Sequence, residues 1–531
     1  MAKPPISSPA AGRRKQAVVV IHGMGEQRPM DTLHGFVDAV WRDEPLGRTG
    51  RGRRTWIVPD DRAGSHELRR ITAGFADEAP GDVRTDFFEF YWADLMQGTT
   101  LQHLWSWVRG LLFRPPWTVP ARMVPAWLLL WAVVAAAALI LLSAAQPDNP
   151  IVVWLRSVTG EPFLRAAENI YAVLLWIAAA AGVLLAVRVG CLLVRKRRAA
   201  RAGQLDHDID VGLGAPAAVA AGALIAATMI GPVAAEAPDT VARLLAAGVA
   251  LVLGVVIHQV LVPYLGDVAR YVRAAPETVE RRQAVRTRGL DLLRRLHERD
   301  EYRRIVIVGH SLGAVVAYDL LLLFWAECGP SKDRPPGPAA AEALARLDRF
   351  VGAPDAGFPL ADYREAQGAV FDALRSESDR WLISDFVTLG SPLTHADFLL
   401  ARNRRHLETM QRERLLATSP PTANDACSSA TMLYSPGGTR EPVPHHAALF
   451  AAVRWTNIYD LPLAVLFGDL VSGPARDNFG PGIEDVPVRL RRPLLCFLKW
   501  RFFTHTLYWD PEAGSGDARD HIRRLRDALD L

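Results

Sequence analysis

Cysteine, lysine and metal-binding patterns are all sparse in this chain of 531 residues. Its four cysteines, Cys191, Cys328, Cys427 and Cys496, form no C-x-x-C pair and no disulfide-like spacing. That argues against a disulfide scaffold and fits a reducing compartment. There is no H-E-x-x-H pattern and no Cys/His cluster, so neither a metal nor any other cofactor is expected. His445-His446 is an isolated pair and reads as loop. Only five lysines occur (Lys3, Lys15, Lys196, Lys332 and Lys499), and the formal net charge of +4 is small for this length. Arginine alongside abundant Ala and Gly reflects a GC-rich coding sequence, and no nucleic-acid partner is expected. A secretory signal is missing too. Residues 1–16 are polar, end in Arg13-Arg14-Lys15-Gln16, and read as a disordered segment with no apolar core of signal length behind it.

The most informative stretch is 305–318. Apolar β-formers occupy 305–308, Gly309-His310-Ser311-Leu312-Gly313 follows, and a run of small residues suited to a helix comes next. Strand, tight turn and helix are expected in that order, with Ser311 at the turn. G-x-S-x-G in this setting lifts the serine hydroxyl above the carboxyl edge of a parallel sheet. Gly309 and Gly313 remove the Cβ atoms that would block neighbouring elements. The Leu312 N–H opens the helix, where a developing negative charge is favoured. An unreactive serine in a strand–helix turn is the plain alternative.

This stretch resembles the nucleophile turn of the α/β-hydrolase superfamily, on its lipase and esterase side. The resemblance implies a mostly parallel sheet with helices on both faces. It also implies a Ser, Asp/Glu, His order along the chain and an oxyanion loop near the first core strands. Residues 17–21 supply a short buried strand that runs into His22-Gly23-Met24-Gly25. A strand followed by His-Gly resembles the oxyanion loop of many lipases. In that reading the Met24 N–H is a second oxyanion donor, Gly23 and Gly25 allow the turn, and His22 braces it; a plain glycine turn is the alternative.

Residues 30–43 read as a helix, 44–82 as a long irregular connection and 86–92 as a strand. Between 111 and 265 charge thins out. Four runs, at about 125–145, 170–190, 211–235 and 244–265, approach the ~20 apolar residues that cross a bilayer core of ~30 Å. A bundle of about four transmembrane helices is therefore expected, inserted between the blocks 17–110 and 266–531 of a discontinuous α/β-hydrolase domain. Arg109, Arg114 and Arg122 before the first run, Arg188 to Arg201 after the second, and Arg270 and Arg273 after the fourth mark both termini and the catalytic domain as cytoplasmic. The expectation is an integral protein of a bacterial inner membrane. His258 and Gln259 lie inside the last run, where a functional role and a bond to a neighbouring helix are both open.

Residues 266–299 read as polar and helical. One amphipathic helix near 339–350 lies in an insertion of the kind that forms lids in that superfamily. Residues 385–393 read as strand and turn, with Ser391 structural, 401–450 as irregular, and 454–460 as a late strand. Two carboxylates compete for the acid. Asp469 lies in a turn between Gly468 and Gly473, whereas Asp460 ends the late strand before Leu461-Pro462. The resemblance favours Asp469, because its acid follows a late strand and often stands as Asp-x-Val before a glycine. Asp460 stays as the alternative acid, and a structural cap is open for both. His505 lies near the C-terminus, where the resemblance places the histidine. His521 reads as the solvated face of a charged terminal helix.

In the implied chemistry His505 takes the Ser311 proton, Asp469 holds the imidazole, and Ser311 attacks a carbonyl to form an acyl-enzyme. The expectation is a membrane-embedded serine hydrolase of carboxylic esters, acyl lipids foremost, with an ester or lipid substrate and the bilayer as partners. A non-catalytic membrane scaffold of hydrolase fold and an acyltransferase are the alternatives.

Overall fold

Strand β1 (Lys15–Ile21) is apolar on both of its sides, and its place in the fold requires this. The structure is a computed structural model. It describes residues 15–23, 28–42, 52–59, 67–76, 82–96, 115–119, 271–272, 276–298, 301–378, 381–423, 431–435, 442–462, 468–493, 499–500, 504–514 and 519–531, with a few isolated positions between 113 and 131. Within these residues β1 is hydrogen-bonded in parallel on both edges, to β4 (Arg84–Phe90) and to β5 (Tyr302–His310). Ala17, Val19 and Ile21 pack on one face of the sheet and Val18 and Val20 on the other, as the two-residue period of a strand dictates. A strand buried on both faces reads as a continuous run of Val and Ile.

Among the described residues the sheet is mixed and mostly parallel, with eight strands. The others are β2 (Arg53–Pro59), β3 (Arg69–Phe75), β6 (Ile383–Leu389), β7 (Arg454–Asp460) and β8 (Glu484–Val488). The order is β8-β7-β6-β5-β1-β4-β3-β2, with the β2–β3 hairpin antiparallel at one end. Helix α1 (Asp31–Val37, prolonged by a π turn over Asp38–Arg42) and the last helix, Asp520–Leu529, cover the face that carries Val18, Val20, Val306 and Val308. The opposite face carries α2 (Pro276–Glu298), α3 (Leu312–Cys328), α4 (Pro338–Leu347) and α5 (Leu360–Ser378). The chain leaves β1 toward one face and β5 toward the other. A crevice therefore opens between the carboxyl ends of these two neighbours, the position where open α/β sheets hold their ligands.

At the other edge Arg304 is fully buried. Its Nε donates to Gln16 Oε1 at 2.8 Å and its Nη2 to the Leu529 carbonyl at 2.8 Å. Asp385 accepts from Arg454 at 3.0 Å and from Ser384 at 2.7 Å. Arg304 thus ties the end of the last helix to strands from both parts of the chain, and its charge lies beside that of Asp385 at 3.5 Å, which offsets the cost of burying it.

The structure corrects the sequence reading in several places. The expected irregular connection over 44–82 holds the β2–β3 hairpin. It escaped notice because β2 is a half-exposed edge strand carrying Arg53, Arg54 and Pro59, without the apolar alternation of a core strand. The insertion over 339–380 has two helices in place of one, and 401–450 contains a helix, α6 (Arg404–Arg412), capped by the Asn403 side chain on the His406 N–H at 2.9 Å. The transmembrane bundle is the largest correction. Among the described residues no helix is long and apolar enough to cross a membrane. The most apolar of them, α3, has 17 residues and lies in the core against β1 and β5. At ~1.5 Å per residue it falls short of a bilayer core. The runs at 125–145, 170–190, 211–235 and 244–265, with His258, lie outside the described residues apart from isolated positions. The expected integral inner-membrane location with cytoplasmic termini is overturned by the same finding.

Candidate active site

Ser311 is the hinge between β5 and α3. Its backbone stands at φ 53°, ψ −129°, in the left-handed half of the map that L residues with a Cβ rarely adopt. Its N–H donates to the Leu389 carbonyl at 3.0 Å and its carbonyl accepts from Ala314 N–H at 3.0 Å, which fixes the turn from both sides. Gly313 shows why the motif needs glycine. A Cβ there would collide with the backbone carbonyls of Ile21 and His22, so α3 and the end of β1 approach to contact only without a side chain. Gly309 meets the backbone of Ala314 in the same way. Leu312 is the first residue of α3, and the first N–H groups of a helix have no acceptor within it.

His505 lies in a turn in which the Leu507 N–H donates to the Thr504 carbonyl at 3.0 Å. Its Nε2 accepts from Ser311 Oγ at 2.8 Å, and its Nδ1 donates to both Asp469 oxygens, each at 3.0 Å. All three side chains are buried. Asp469 Oδ1 also accepts the Val471 N–H at 2.9 Å, and Oδ2 accepts the Tyr508 hydroxyl at 2.7 Å. Asp460 is placed differently: its Oδ2 accepts from Thr504 Oγ1 at 2.6 Å, beside the histidine's loop. His310 donates from Nε2 to the His505 carbonyl at 2.9 Å and so holds the backbone of that residue.

The segment after β1 reaches the same point. A Cβ on Gly23 would come 2.9 Å from Ser311 Cβ. His22 braces the segment: its Nδ1 donates to the Gly23 carbonyl at 2.9 Å, its Nε2 accepts the Trp92 N–H at 3.2 Å, and its ring stacks on Trp92. Met24, the expected second donor, lies outside the described residues. His521, read as a solvated residue, is buried and donates from Nε2 to the Asp510 carbonyl at 2.8 Å. Its helix is amphipathic with His521 on the inner face, beside Ile522 and Leu525.

Burial alone acts to raise the Asp469 pKa, but the facing His505, with the hydrogen bonds from His505, Tyr508 and Ser472, outweighs it and holds the carboxyl below the usual carboxylate range. Burial pushes His310 down to about 3, helped by the adjacent His505, and pushes His22 down to about 4. Both are therefore neutral supports, and the charge of the site rests on the Asp469–His505 pair. The arrangement can pass the Ser311 proton to His505 Nε2 while Asp469 stabilises the resulting imidazolium. No group of His, Cys, Asp and Glu able to hold a metal exists among the described residues. Sequence reasoning missed Tyr508 and Ser472, which carry no motif; only a fold that brings 469–472 against 505–508 exposes them. In comparisons with known proteins, no family model, no curated protein and no solved structure matches the chain.

Buried neutral histidines also make the fold acid-sensitive. His22, His297 and His445 are pushed down to about 4, and His310 to about 3, in each case chiefly by burial. Each takes up its proton near the unfolded value of ~6.5 only when the chain unfolds, so stability is present above that pH and lost as pH falls toward 4. Glu89 acts oppositely: burial raises it to about 7, so it binds a proton in the folded state that the unfolded chain has released. The four histidines, less Glu89, take up on average about two protons on unfolding between pH 6.5 and 5.5, a loss on the order of 3 kcal/mol over that interval. Equilibrium denaturation at pH 6.5 and 5.5 should show that drop; equal stability at the two values would contradict it.

Proposed function

We propose that the protein is a serine hydrolase of α/β-hydrolase type that cleaves carboxylic esters through an acyl-enzyme. The observation that carries this reading is the continuous chain from Ser311 Oγ to His505 Nε2, and from His505 Nδ1 to Asp469. Ser311 attacks the ester carbonyl as His505 takes its proton, and the imidazolium then protonates the leaving alcohol. A water molecule, deprotonated by His505, releases the acid and restores Ser311. Asp469 holds the Nδ1–H tautomer throughout. The Leu312 N–H, at the start of α3, faces the developing oxyanion, and removing one such donor costs about 3 kcal/mol of transition-state stabilisation. Gly23 leaves the space beside Ser311 in which the carbonyl sits. The backbone at Ser311 adds support: at φ 53°, ψ −129° the serine lies outside the αL well, a cost of the kind that clusters at active sites. The preference for acyl lipids rested on a membrane insertion and falls with it, so the substrate class is the carboxylic ester.

The test is covalent. The purified full-length protein, incubated with a fluorophosphonate probe and digested, should carry one adduct, on the peptide that contains Ser311. No adduct, or an adduct confined to another serine, overturns the reading.

A further inference from the structure

We propose that Tyr508 is a positioning residue for the Asp469–His505 pair, a role that rests on the serine-hydrolase reading. Its hydroxyl lies at the centre of a buried cluster. It is 2.7 Å from Asp469 Oδ2, 3.1 Å from the Asp460 N–H and 2.9 Å from Ser472 Oγ. A phenol has one proton to give and two lone pairs to fill. A carboxylate only accepts, so the proton goes to Asp469, and a lone pair takes the Asp460 N–H, with Ser472 Oγ packed beside the oxygen at 2.9 Å. One bond given to the carboxylate and one taken from a backbone N–H fix the orientation of the hydroxyl. Burial and the Asp469 charge hold the Tyr508 pKa well above the usual tyrosine value, so it remains a donor.

The consequence falls on Asp469. Its Oδ1 is held by the Val471 N–H and its Oδ2 by Tyr508, while His505 Nδ1 sits 3.0 Å from each. Two fixed donors, one on each oxygen, set the plane of the carboxylate in which Nδ1 must lie. Tyr508 stands three residues after His505 in the same stretch, and its ring packs in the core cluster that includes Leu389, Ile458 and Leu507. The base and the clamp on its acid are thus carried by one short segment, which keeps their spacing constant. Gly390 lies against all three parts, since a Cβ there would be 2.6 Å from Tyr508 Cε2, 3.1 Å from Asp469 Oδ2 and 3.2 Å from His505 Nδ1.

The experiment is a double-mutant cycle on the full-length protein, with Tyr508→Phe and Asp469→Asn read by turnover of a short-chain nitrophenyl ester. Equilibrium denaturation of each variant, which needs no working triad, refers each kcat to the folded fraction, so partial unfolding of a variant does not mask the result. Tyr508→Phe is expected to lower kcat by about 10- to 100-fold with KM unchanged, because a misplaced acid misplaces the base. In the Asp469→Asn background the same change should cost less than ~3-fold, because the carboxylate it positions is gone. A residue that only supports the fold would cost the same in both backgrounds. If the wild-type protein labels at Ser311 and Tyr508→Phe keeps its kcat, or the two losses are equal, the Tyr508 proposal fails alone. If the wild-type protein does not label at Ser311, the hydrolase reading fails and takes the proposal with it.

Discussion

Ser311→Ala is expected to lower ester turnover by on the order of 10⁶-fold while the protein stays folded. The size of the loss follows from the division of labour in the site. His505 and Asp469 exist in this reading to activate one oxygen, Ser311 Oγ, which lies 2.8 Å from His505 Nε2. Without it they have no proton to move, and what remains is the modest assistance of backbone N–H groups to attack by water. Stability should change little. Alanine at φ 53° is no more strained than serine, and the fixed turn is held by backbone bonds to Leu389 and Ala314 that do not involve the side chain. The check is steady-state turnover together with melting temperature. A folded Ser311→Ala protein within tenfold of wild type would remove Ser311 from the chemistry.

Asp469→Asn carries the second large effect, a loss on the order of 10⁴ in kcat. An amide at 469 presents an N–H₂ where Nδ1–H now points, and the imidazole is driven to the tautomer that places its proton on Nε2, facing Ser311. Asp460→Asn is the matched comparison. Asp460 is equally buried, but its carboxylate serves the Thr504 hydroxyl at 2.6 Å, and an asparagine carbonyl can still accept that bond. Its kcat should stay within tenfold of wild type. A folded but inactive Asp460→Asn beside an active Asp469→Asn would exchange the two roles, and full activity in both would place the acid elsewhere.

What could be read in the chain follows from where each signal resides. The segment around Ser311 was legible because strand, turn and helix chemistry are local: Val and Ile, then two glycines, then small residues. Asp469 and His505 were legible only in combination with the order that a resemblance supplied, and the fold brings both to Ser311. Asp460 stayed open because its loyalty is decided by Thr504, 44 residues away. Tyr508 was invisible for the same reason, since its partners at 460, 469 and 472 meet it only in three dimensions. His521 was misread because charged neighbours suggested an exposed face, whereas the helix period turns it inward beside Ile522 and Leu525. The β2–β3 hairpin lacked apolar alternation because an edge strand has little to bury. The four apolar runs were judged by transfer preference alone, which states what a segment tolerates and not what structure it takes; none of the described helices crosses a membrane.

The pairing of β1 with β5 joins Val19 to Ile307, roughly 290 residues further along the chain. Closing so long a segment costs about 5 kcal/mol of chain entropy, and that cost precedes any reward from the contacts it creates. During synthesis at ~5–20 residues per second, β1 waits on the order of 15 to 60 s for this neighbour. β4 is made early and can cover one of its edges, but the other edge of this Val-rich strand stays open over that interval. A half-paired β1 is then the species most exposed to association with other chains. The strand that seats Ser311 closes that edge, so the nucleophile arrives with the step that ends the vulnerable stage.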